Sequence, residues 1–169
     1  MPRISESSAG GRNVLAFLDM LAWSELGSDY LKRSDEGYNV IVTGIDGKLE
    51  LFTDYRTHPF AGGRTSKVIN SKGLTSNASG RYQQMLRDWP HYRDLLKLPD
   101  FGPLSQDRLA IRHIRECRAL EDVKAGRFVL AVSKCRNIWA SLPDAGYNQR
   151  EHKIEDLRAQ YVAARGVLA

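Results

Sequence analysis

The sequence has few of the residues on which metal, disulfide and membrane proteins depend. Of its 169 residues only two are cysteine, and its four histidines have no HExxH or CxxC companion. A metal site is therefore not expected, and the two thiols are typical of reduced core residues. No apolar run approaches the roughly 18 residues that a membrane-spanning helix needs. Membrane insertion is not expected either.

The N-terminal segment lacks the apolar stretch of a secretory signal peptide. It reads MPRISESSAGGR, so a substrate outside the cytoplasm would require another route of export. Residues 1–11 are rich in Ser and Gly and are predicted to form a flexible tail. Residues 12–169 are enough for one domain with a real core, and neither a repeat nor a linker divides them.

The charge is mildly positive and dispersed. The 25 basic residues exceed the 20 acidic ones, which gives a formal net charge of +5. One helix stripe could be basic, but no dense Lys/Arg block is present, so a nucleic-acid partner is not expected. The residues of that stripe are Arg108, Arg112, Arg115 and Arg118. A weak positive field also suits the anionic polymers of bacterial surfaces.

The most informative stretch is an apolar segment over residues 13–25, NVLAFLDMLAWSE. Val14, Leu18 and Leu21 recur at helical spacing, and Glu25 falls on the same stripe. Apolar residues cover most of the remaining circumference, a pattern typical of a buried helix. The sequence predicts a central buried helix that breaks at the following LGS.

Glu25 stands at the end of this helix, in line with its core stripe. Burial disfavours the charged form of a carboxyl, and so does the dipole at a helix C-terminus. Both effects would raise the pKa of Glu25 and keep it protonated near neutral pH, as a general acid requires. The alternative is a helix-end glutamate that points into solvent, and the helical wheel alone does not decide between the two.

A β-hairpin is predicted downstream of this helix. The runs YNVIV and LELF alternate in polarity on either side of Asp46-Gly47, a strong hairpin signal. The intervening polar segment SELGSDYLKRSDEG is predicted to be a loop. Arg56 to Ser76 is predicted to be a long polar loop, which acts as a lid or is simply mobile.

The C-terminal half is predicted to be helical. Apolar spacing and stop signals define the helices, and Ser105 is the predicted N-cap of one of them. The predicted ranges are 76–89, 91–98, 104–120, 119–126, 126–142 and 150–165. One buried helix, one hairpin and a helical lobe make an α+β fold.

Five segments carry a resemblance to a known family. They are FLDMLAWSE, ELFTDY followed by HP, SGRYQ, DFGPLSQD and CRNIWASLPDAGYNQREHK. In these strings the chain resembles the lambda-type phage endolysins, which have GAGRYQ, DFSPKSQD and CSNIWASLPGAGYGQFEHK. Two departures affect the rim of the expected cleft: Ile45 to Leu49 lengthen the hairpin, and LGSDY replaces GTDNG after Glu25.

The resemblance implies a lysozyme-like α+β fold, with a central buried helix, a small hairpin lobe, a larger helical lobe and a cleft between them. It also implies cleavage of the β-1,4 bond between N-acetylmuramic acid and N-acetylglucosamine of peptidoglycan. The family's single glutamate corresponds to Glu25. It would act as acid and then as base for the muramic 6-hydroxyl, giving a 1,6-anhydro product and causing lysis of the host cell. The resemblance implies that no cofactor is needed.

Hydrolysis on the same fold is the main alternative. A hydrolytic muramidase usually needs a second carboxylate. The T-even phage lysozymes and the animal c-type lysozymes have the catalytic partners of their glutamate at positions that correspond here to Ser34, Val40 and Val42, none of which is a carboxylate. Asp35 and Asp54 are the possible substitutes, although Asp54 is expected to bond backbone groups in a turn. A non-catalytic wall-binding protein is a second alternative.

Residues of these strings, and Tyr38 at the start of the hairpin, are predicted to bind the glycan. Tyr147 matches a family tyrosine on the cleft side of the SLP loop, Tyr38 lines the cleft or covers the sheet, and Gln83 is the expected hydrogen-bonding residue of RYQ. The full predicted set is Tyr38, Ser79, Gly80, Arg81, Gln83, Tyr147 and Gln149. Trp89 and Trp139 are predicted to be core residues rather than sugar platforms.

The resemblance further implies the setting of the protein. Its partners would be peptidoglycan strands and a holin-type protein that releases it without forming a stable complex. A monomer is expected. The protein would accumulate in the bacterial cytoplasm and act on the cell wall in the periplasm.

Overall fold

The computed structural model describes residues 1–147 and 151–169. The helices are α1 (Glu6–Ala9), α2 (Arg12–Lys32), α3 (Trp89–Leu96), α4 (Pro103–Glu116), α5 (Leu120–Lys124), α6 (Phe128–Cys135) and α7 (Ile154–Ala163). The strands are β1 (Val40–Ile41), β2 (Glu50–Leu51), β3 (Lys67–Val68) and β4 (Thr75–Ser76). The chain forms two compact units: unit 1 comprises Met1–Glu25 and Asp107–Ala169, and unit 2 comprises Leu26–Gln106. The single domain over 12–169 stays a prediction.

Helix α2 is formed by the apolar segment that the sequence singles out. Val14, Leu18 and Leu21 have no exposed surface, which confirms the predicted buried helix. Within the described part of the chain, this and every other helix is too short or too polar to cross a membrane.

The break predicted after Glu25 is present, but the loop predicted to follow it is wrong as far as Lys32; only residues 33–37 of that segment form turns. Gly27 leaves the helical conformation with φ 70° and ψ 166°, a region in which glycine avoids the clash of a Cβ atom. Helical structure then resumes and continues to Lys32. Asp29 and Arg33 support this last turn with an i,i+4 ion pair at 2.7 Å between Oδ2 and Nη1.

Aromatic rings from three helices of unit 1 share one core. The ring of Phe128 in α6 lies 6.3 Å from Phe17 in α2 and 4.9 Å from Tyr161 in α7, measured between centroids. Trp139 is also buried, at 3% exposure, as predicted. Helix α6 ends at Cys135, so the single helix predicted over 126–142 is too long.

The N-terminal residues of unit 1 have defined local structure. Helix α1 begins after Ser5, whose hydroxyl caps it by accepting the N–H of Ser8 at 3.2 Å. The buried carboxylate of Asp107 accepts the backbone N–H groups of Arg3 and Ile4 at 2.7 and 2.9 Å. The flexibility of residues 1–11 stays a prediction.

The hairpin predicted around Asp46-Gly47 is confirmed in unit 2. Strands β1 and β2 are antiparallel, with Val40 opposite Leu51. At the turn, the N–H of Gly47 donates to the carbonyl of Gly44 at 3.0 Å.

A second hairpin lies inside the segment predicted to be a polar loop. Strands β3 and β4 pair with Lys67 opposite Ser76. Their turn is organised by Asn70, whose side-chain oxygen accepts the N–H groups of Lys72 and Leu74, both at 3.0 Å. Each strand has only two residues, too few for polarity to alternate, so the loop prediction over 56–76 is wrong there.

The helix predicted over 76–89 is absent, and the chain makes a tight turn instead. Ser79 and Gln84 exchange two backbone hydrogen bonds, at 3.0 and 2.8 Å, around this turn. Helix α3 begins only at Trp89 and carries Pro90 in its first turn. Proline has no N–H to donate, and the first turn of a helix does not need it, so Pro90 starts a helix here rather than ending one.

The core of unit 2 is built around Phe101. Its ring lies 5.0 Å from that of Trp89 and 4.7 Å from that of His58, and all three residues are buried. Helix α4 follows directly. Ser105, the predicted N-cap, lies inside α4, and its hydroxyl donates to the carboxylate of Asp100 at 3.0 Å.

Candidate active site

Glu25 lies in α2 with its carboxyl directed at a serine that is distant in sequence. The hydroxyl of Ser141 donates to Oε1 of Glu25 at 2.6 Å. Such a short hydrogen bond is typical of an oxygen donor meeting a carboxylate. Ser141 follows the short turn after α6, so two elements of unit 1 fix the position of this carboxyl.

The pKa of Glu25 is strongly displaced. Burial raises it from the ordinary 4.5 to about 7, and the hydrogen bonds from Ser141 partly oppose this rise. Of the two alternatives that the sequence left open, the carboxyl with a raised pKa is the one present. Burial alone raises this pKa, because helical structure resumes and α2 ends only at Lys32. A carboxyl that titrates near neutral pH is suited to giving and taking a proton.

A second serine continues the hydrogen bonding behind Glu25. The hydroxyls of Ser141 and Ser24 lie 3.0 Å apart, and the hydroxyl of Ser24 donates to the carbonyl of Leu21 at 2.8 Å. Both serines are buried. The carboxyl is thus backed by polar protein groups rather than by bulk water.

His152 holds the Ser141 segment against α2. Its ring is stacked at a tilt on Trp23, with 4.7 Å between centroids, and its Nε2 lies 3.0 Å from the carbonyl of Ser24. Its backbone N–H donates to the carbonyl of Ser141 at 2.9 Å. His152 therefore contacts both serines that lie beside the carboxyl of Glu25, Ser24 and Ser141.

Four of the predicted glycan-binding residues are internal to unit 2. Tyr38 and Arg81 are buried, and the guanidinium of Arg81 lies 5.2 Å from the centre of the Tyr38 ring. Arg81 also donates to the backbone carbonyl of Glu36. Ser79 is fully buried, and the N–H of Gly80 donates to the carbonyl of Val40 at 2.8 Å.

These four residues thus have a packing role, and their contact with glycan stays a prediction. Gln83, in the same turn, is half-buried, and its side-chain amide donates to the carbonyl of Gly80 at 3.0 Å.

Tyr147 lies in unit 1, apart from that group in the chain. It is 49% exposed, and its hydroxyl donates to the carbonyl of Asn137 at 2.8 Å. Its accessible ring could stack on a sugar. Gln149, the remaining predicted residue, lies outside the described residues.

The described residues offer no metal centre. Across 1–147 and 151–169, His, Cys, Asp and Glu nowhere form a group of three that could hold an ion. Cys117 and Cys135 are free thiols, half-buried and buried respectively.

Comparison with known proteins places this geometry in a family. A family model described as Endolysin matches residues 15–168. The chain is 60% identical to the endolysin of Escherichia phage P2 over 158 residues, covering 94% of this chain and 96% of that protein. It is 48% identical to the endolysin of Escherichia phage lambda over 155 residues, covering 90% and 91%. The chain belongs to the endolysin family.

The fold comparison agrees with this membership. Bacteriophage lambda lysozyme complexed with a chitohexasaccharide matches with a TM-score of 0.82 and 44% identity, and both chains are covered in full, at 100%. A second structure of lambda lysozyme matches at TM-score 0.77 and 42% identity. The predicted lysozyme-like α+β fold is confirmed, and this endolysin is a lysozyme-type glycosidase.

The two possible second carboxylates of this endolysin are both engaged within unit 2. Asp54 is exposed, and its two oxygens bind the guanidinium of Arg56, which together with the backbone N–H of Arg56 lowers the pKa of Asp54 to about 2. The backbone bond predicted for Asp54 is thus present, at 2.9 Å. Asp35 accepts the hydroxyl of Tyr55 at 3.0 Å.

Sequence reasoning missed the residues that surround the carboxyl. Ser24 precedes Glu25 directly in the chain, but a serine next to a glutamate is common and does not by itself predict a hydrogen-bonding partner. Ser141 and His152 fall in the long string shared with the endolysins, but only the folded chain shows that they contact α2.

Proposed function

We propose that this endolysin cleaves the β-1,4 bond between N-acetylmuramic acid and N-acetylglucosamine of peptidoglycan by lytic transglycosylation. Glu25 is the acid and then the base. The observation that carries the proposal is the half-buried carboxyl of Glu25, with its pKa raised to about 7 and Oε1 held by Ser141. Membership of the endolysin family and the chitohexasaccharide complex of lambda lysozyme support a glycan substrate.

In the first step Glu25 acts as the acid. Near neutral pH a substantial fraction of its carboxyl is protonated, because burial disfavours the charged form. The carboxyl gives its proton to the glycosidic oxygen while the bond from that oxygen to C1 of the muramic sugar breaks. Positive charge develops at C1 and its ring oxygen, and the new carboxylate stabilises it.

In the second step the same group acts as the base. The carboxylate takes the proton of the muramic 6-hydroxyl, and the 6-oxygen forms a bond to C1. The sugar closes into a 1,6-anhydro ring, and Glu25 regains its proton without consuming water. An attached hydroxyl replaces water because its effective concentration at C1 is very high.

Hydrolysis is the alternative reaction, and it requires a second carboxylate in addition to Glu25. Retaining and inverting glycosidases usually employ two carboxylates, and Asp35 and Asp54 are the candidates of this chain. Asp54 forms a bidentate ion pair with Arg56, so its proton affinity is poor for a base. This favours the single-carboxylate mechanism.

The biological setting is part of the same proposal. The protein accumulates in the bacterial cytoplasm as a monomer and reaches the wall after a holin-type partner opens the inner membrane. Fractionation of cells that express the chain with and without a holin tests this. Periplasmic activity without the holin would overturn the proposed route.

Product analysis tests the reaction itself. Purified peptidoglycan is digested with the protein and with Glu25→Gln, and the muropeptides are weighed by mass spectrometry. Transglycosylation predicts products that lack one water relative to hydrolytic products, from the unsubstituted protein alone. Reducing-end products would show a hydrolase.

A further inference from the structure

Three side-chain oxygens in unit 1 form a continuous line that ends on the backbone. It runs from Oε1 of Glu25 to the hydroxyl of Ser141 at 2.6 Å, and from there to the hydroxyl of Ser24 at 3.0 Å. The Ser24 hydroxyl then donates to the carbonyl of Leu21 at 2.8 Å. Ser24 and Ser141 are only 5% and 8% exposed, so they depend on each other for hydrogen bonds.

The number of protons in this line limits how it can be bonded. Each serine hydroxyl has one proton to donate. Because Ser24 gives its proton to Leu21, its oxygen can only accept from Ser141. Ser141 can therefore donate to Glu25 or to Ser24, but not to both.

The protonation state of Glu25 decides between these two arrangements. An ionised carboxylate only accepts hydrogen bonds, so Ser141 must donate to it. A protonated carboxyl can donate its O–H to Ser141, whose own proton then turns to Ser24. All donors in the line then point from Glu25 towards Leu21.

We propose that the hydroxyls of Ser141 and Ser24 form a relay that reverses with the proton of Glu25, so that this carboxyl is hydrogen-bonded both as acid and as base. The inference rests on the proposed function, in which one carboxyl alternates between the two roles in each turnover. The relay moves only by rotation of hydroxyl groups. In the free protein the acid proton of Glu25 points to Ser141; when substrate is bound it turns to the glycosidic oxygen, and Ser141 turns its own proton back to Oε1 of Glu25. No proton passes through the serines, which are positioning residues.

The titratable side chains near this line do not bond to the serine hydroxyls or to the carboxyl of Glu25. His152 meets this line through the backbone carbonyl of Ser24, and the carboxylate of Glu151 is turned to the N–H groups of Asp144 and Gly146, both at 2.9 Å. Among the described residues, the pKa of Glu25 is raised by burial and lowered by the hydrogen bonds from Ser141. No charged side chain contributes to the shift.

The two serines therefore have opposite effects on Glu25. Ser141 bonds to both forms of the carboxyl, but its hydrogen bond to the charged carboxylate is the stronger one, so Ser141→Ala raises the pKa of Glu25. Ser24 accepts from Ser141 only when Glu25 is protonated, so Ser24→Ala removes support from the acid form and lowers the pKa. A serine pair with a merely structural role would not shift the pKa in opposite directions.

The test is a direct titration of Glu25 in the full chain. Protein labelled in the glutamate δ-carbon is titrated by NMR, and Glu25→Gln assigns the signal. For Ser141→Ala we expect an increase of about one pKa unit, and for Ser24→Ala a decrease. Ser133→Ala on the exposed face of α6 is the matched control and leaves the titration unchanged.

Shifts in the same direction, or no shift in either variant, would overturn the relay. If Ser141→Ala does not fold, Ser24→Ala decides alone, because only a decrease agrees with the proposal; Ser141→Thr, which keeps the hydroxyl, should titrate like the unsubstituted protein. The titration needs no substrate. Failure of the relay is thus distinguishable from failure of transglycosylation, which only the digestion products report.

Discussion

Gln106 fills the space that a Cβ atom on Gly80 would occupy. An ideal Cβ at Gly80 would lie 2.1 Å from Oε1 of Gln106, which accepts the N–H of Arg81 at 2.9 Å. The amide nitrogen of Gln106 donates to the carbonyls of Tyr38 and Phe101 at 2.9 and 2.8 Å. One buried side chain therefore ties together the hairpin entry, the turn at Gly80 and the start of α4.

Gly80→Ala should destabilise the protein. The residue has φ +77°, which L-residues rarely adopt, and the new methyl group would displace Gln106 from three hydrogen bonds. We expect a loss of about 2–4 kcal/mol in the free energy of unfolding, measured by denaturant titration. Gly62→Ala, where a Cβ meets no atom within 4 Å, is the control. Equal stability of the two variants would show that the turn is not fixed as described.

Activity should decline as Glu25 loses its proton. Since burial raises its pKa to about 7, kcat/KM is expected to fall tenfold per pH unit above about pH 7. Steady-state rates on purified peptidoglycan over a pH series measure this limb. A value of kcat/KM that does not fall between about pH 7 and about pH 9 would exclude Glu25 as the acid.

Glu25→Gln should also change how stability depends on pH. Between the ordinary pKa of 4.5 and the folded value of about 7, the folded state keeps a proton that the unfolded chain has released, so stability falls as pH rises through this window. The amide cannot ionise and escapes this loss. The melting temperature of Glu25→Gln should therefore exceed that of the parent by an amount that grows through the window and then stays constant. A difference independent of pH would contradict the raised pKa.

Trp139→Ala should affect stability more than chemistry. Trp139 is 3% exposed and packs edge-on against His113, with 6.2 Å between ring centroids. Removal of a buried tryptophan costs about 3–5 kcal/mol, and Ile138→Ala next to it, at an exposed position (45%), should cost little. Thermal melts are compared with turnover at a temperature where both variants are folded. Normal melting with abolished turnover would give Trp139 a direct role instead.

Asp54→Asn and Asp35→Asn should retain most turnover and give the same products. Asp54 is exposed and paired with Arg56, and Asp35 is bonded to Tyr55, so each has a local structural partner. Glu25→Gln serves as the inactive reference in the same assay. A folded variant of either aspartate without turnover would revive the hydrolytic mechanism.

The features predicted correctly from the sequence are those that nearby residues determine. The apolar stripe of Val14, Leu18 and Leu21 is enough to predict the buried helix, and Asp46-Gly47 is enough to predict the hairpin. The position of Glu25 on that stripe left its burial open, and the folded chain shows it half-buried. Periodicity and turn chemistry depend on residues close together in the chain, so the secondary structure of a short segment can be predicted from that segment alone.

The features that the sequence did not predict depend on residues far apart in the chain. The turn that replaces the helix at 76–89 depends on Gln106, whose amide is 25 positions from Arg81. Ser141 lies 116 positions from Glu25, and no periodicity connects them. The string shared with the endolysins singles out Glu25 as the candidate acid, whereas only the folded chain identifies the groups that bond to it.

In the proposed reaction Glu25 is the only catalytic carboxyl, and the 6-hydroxyl of the muramic sugar, not water, attacks C1 of the same sugar. Digestion of purified peptidoglycan in water labelled with heavy oxygen distinguishes the two reactions. Transglycosylation gives 1,6-anhydromuropeptides that carry no heavy oxygen, and we expect no products from Glu25→Gln. Reducing-end muropeptides that carry one heavy oxygen would contradict it and establish a hydrolase.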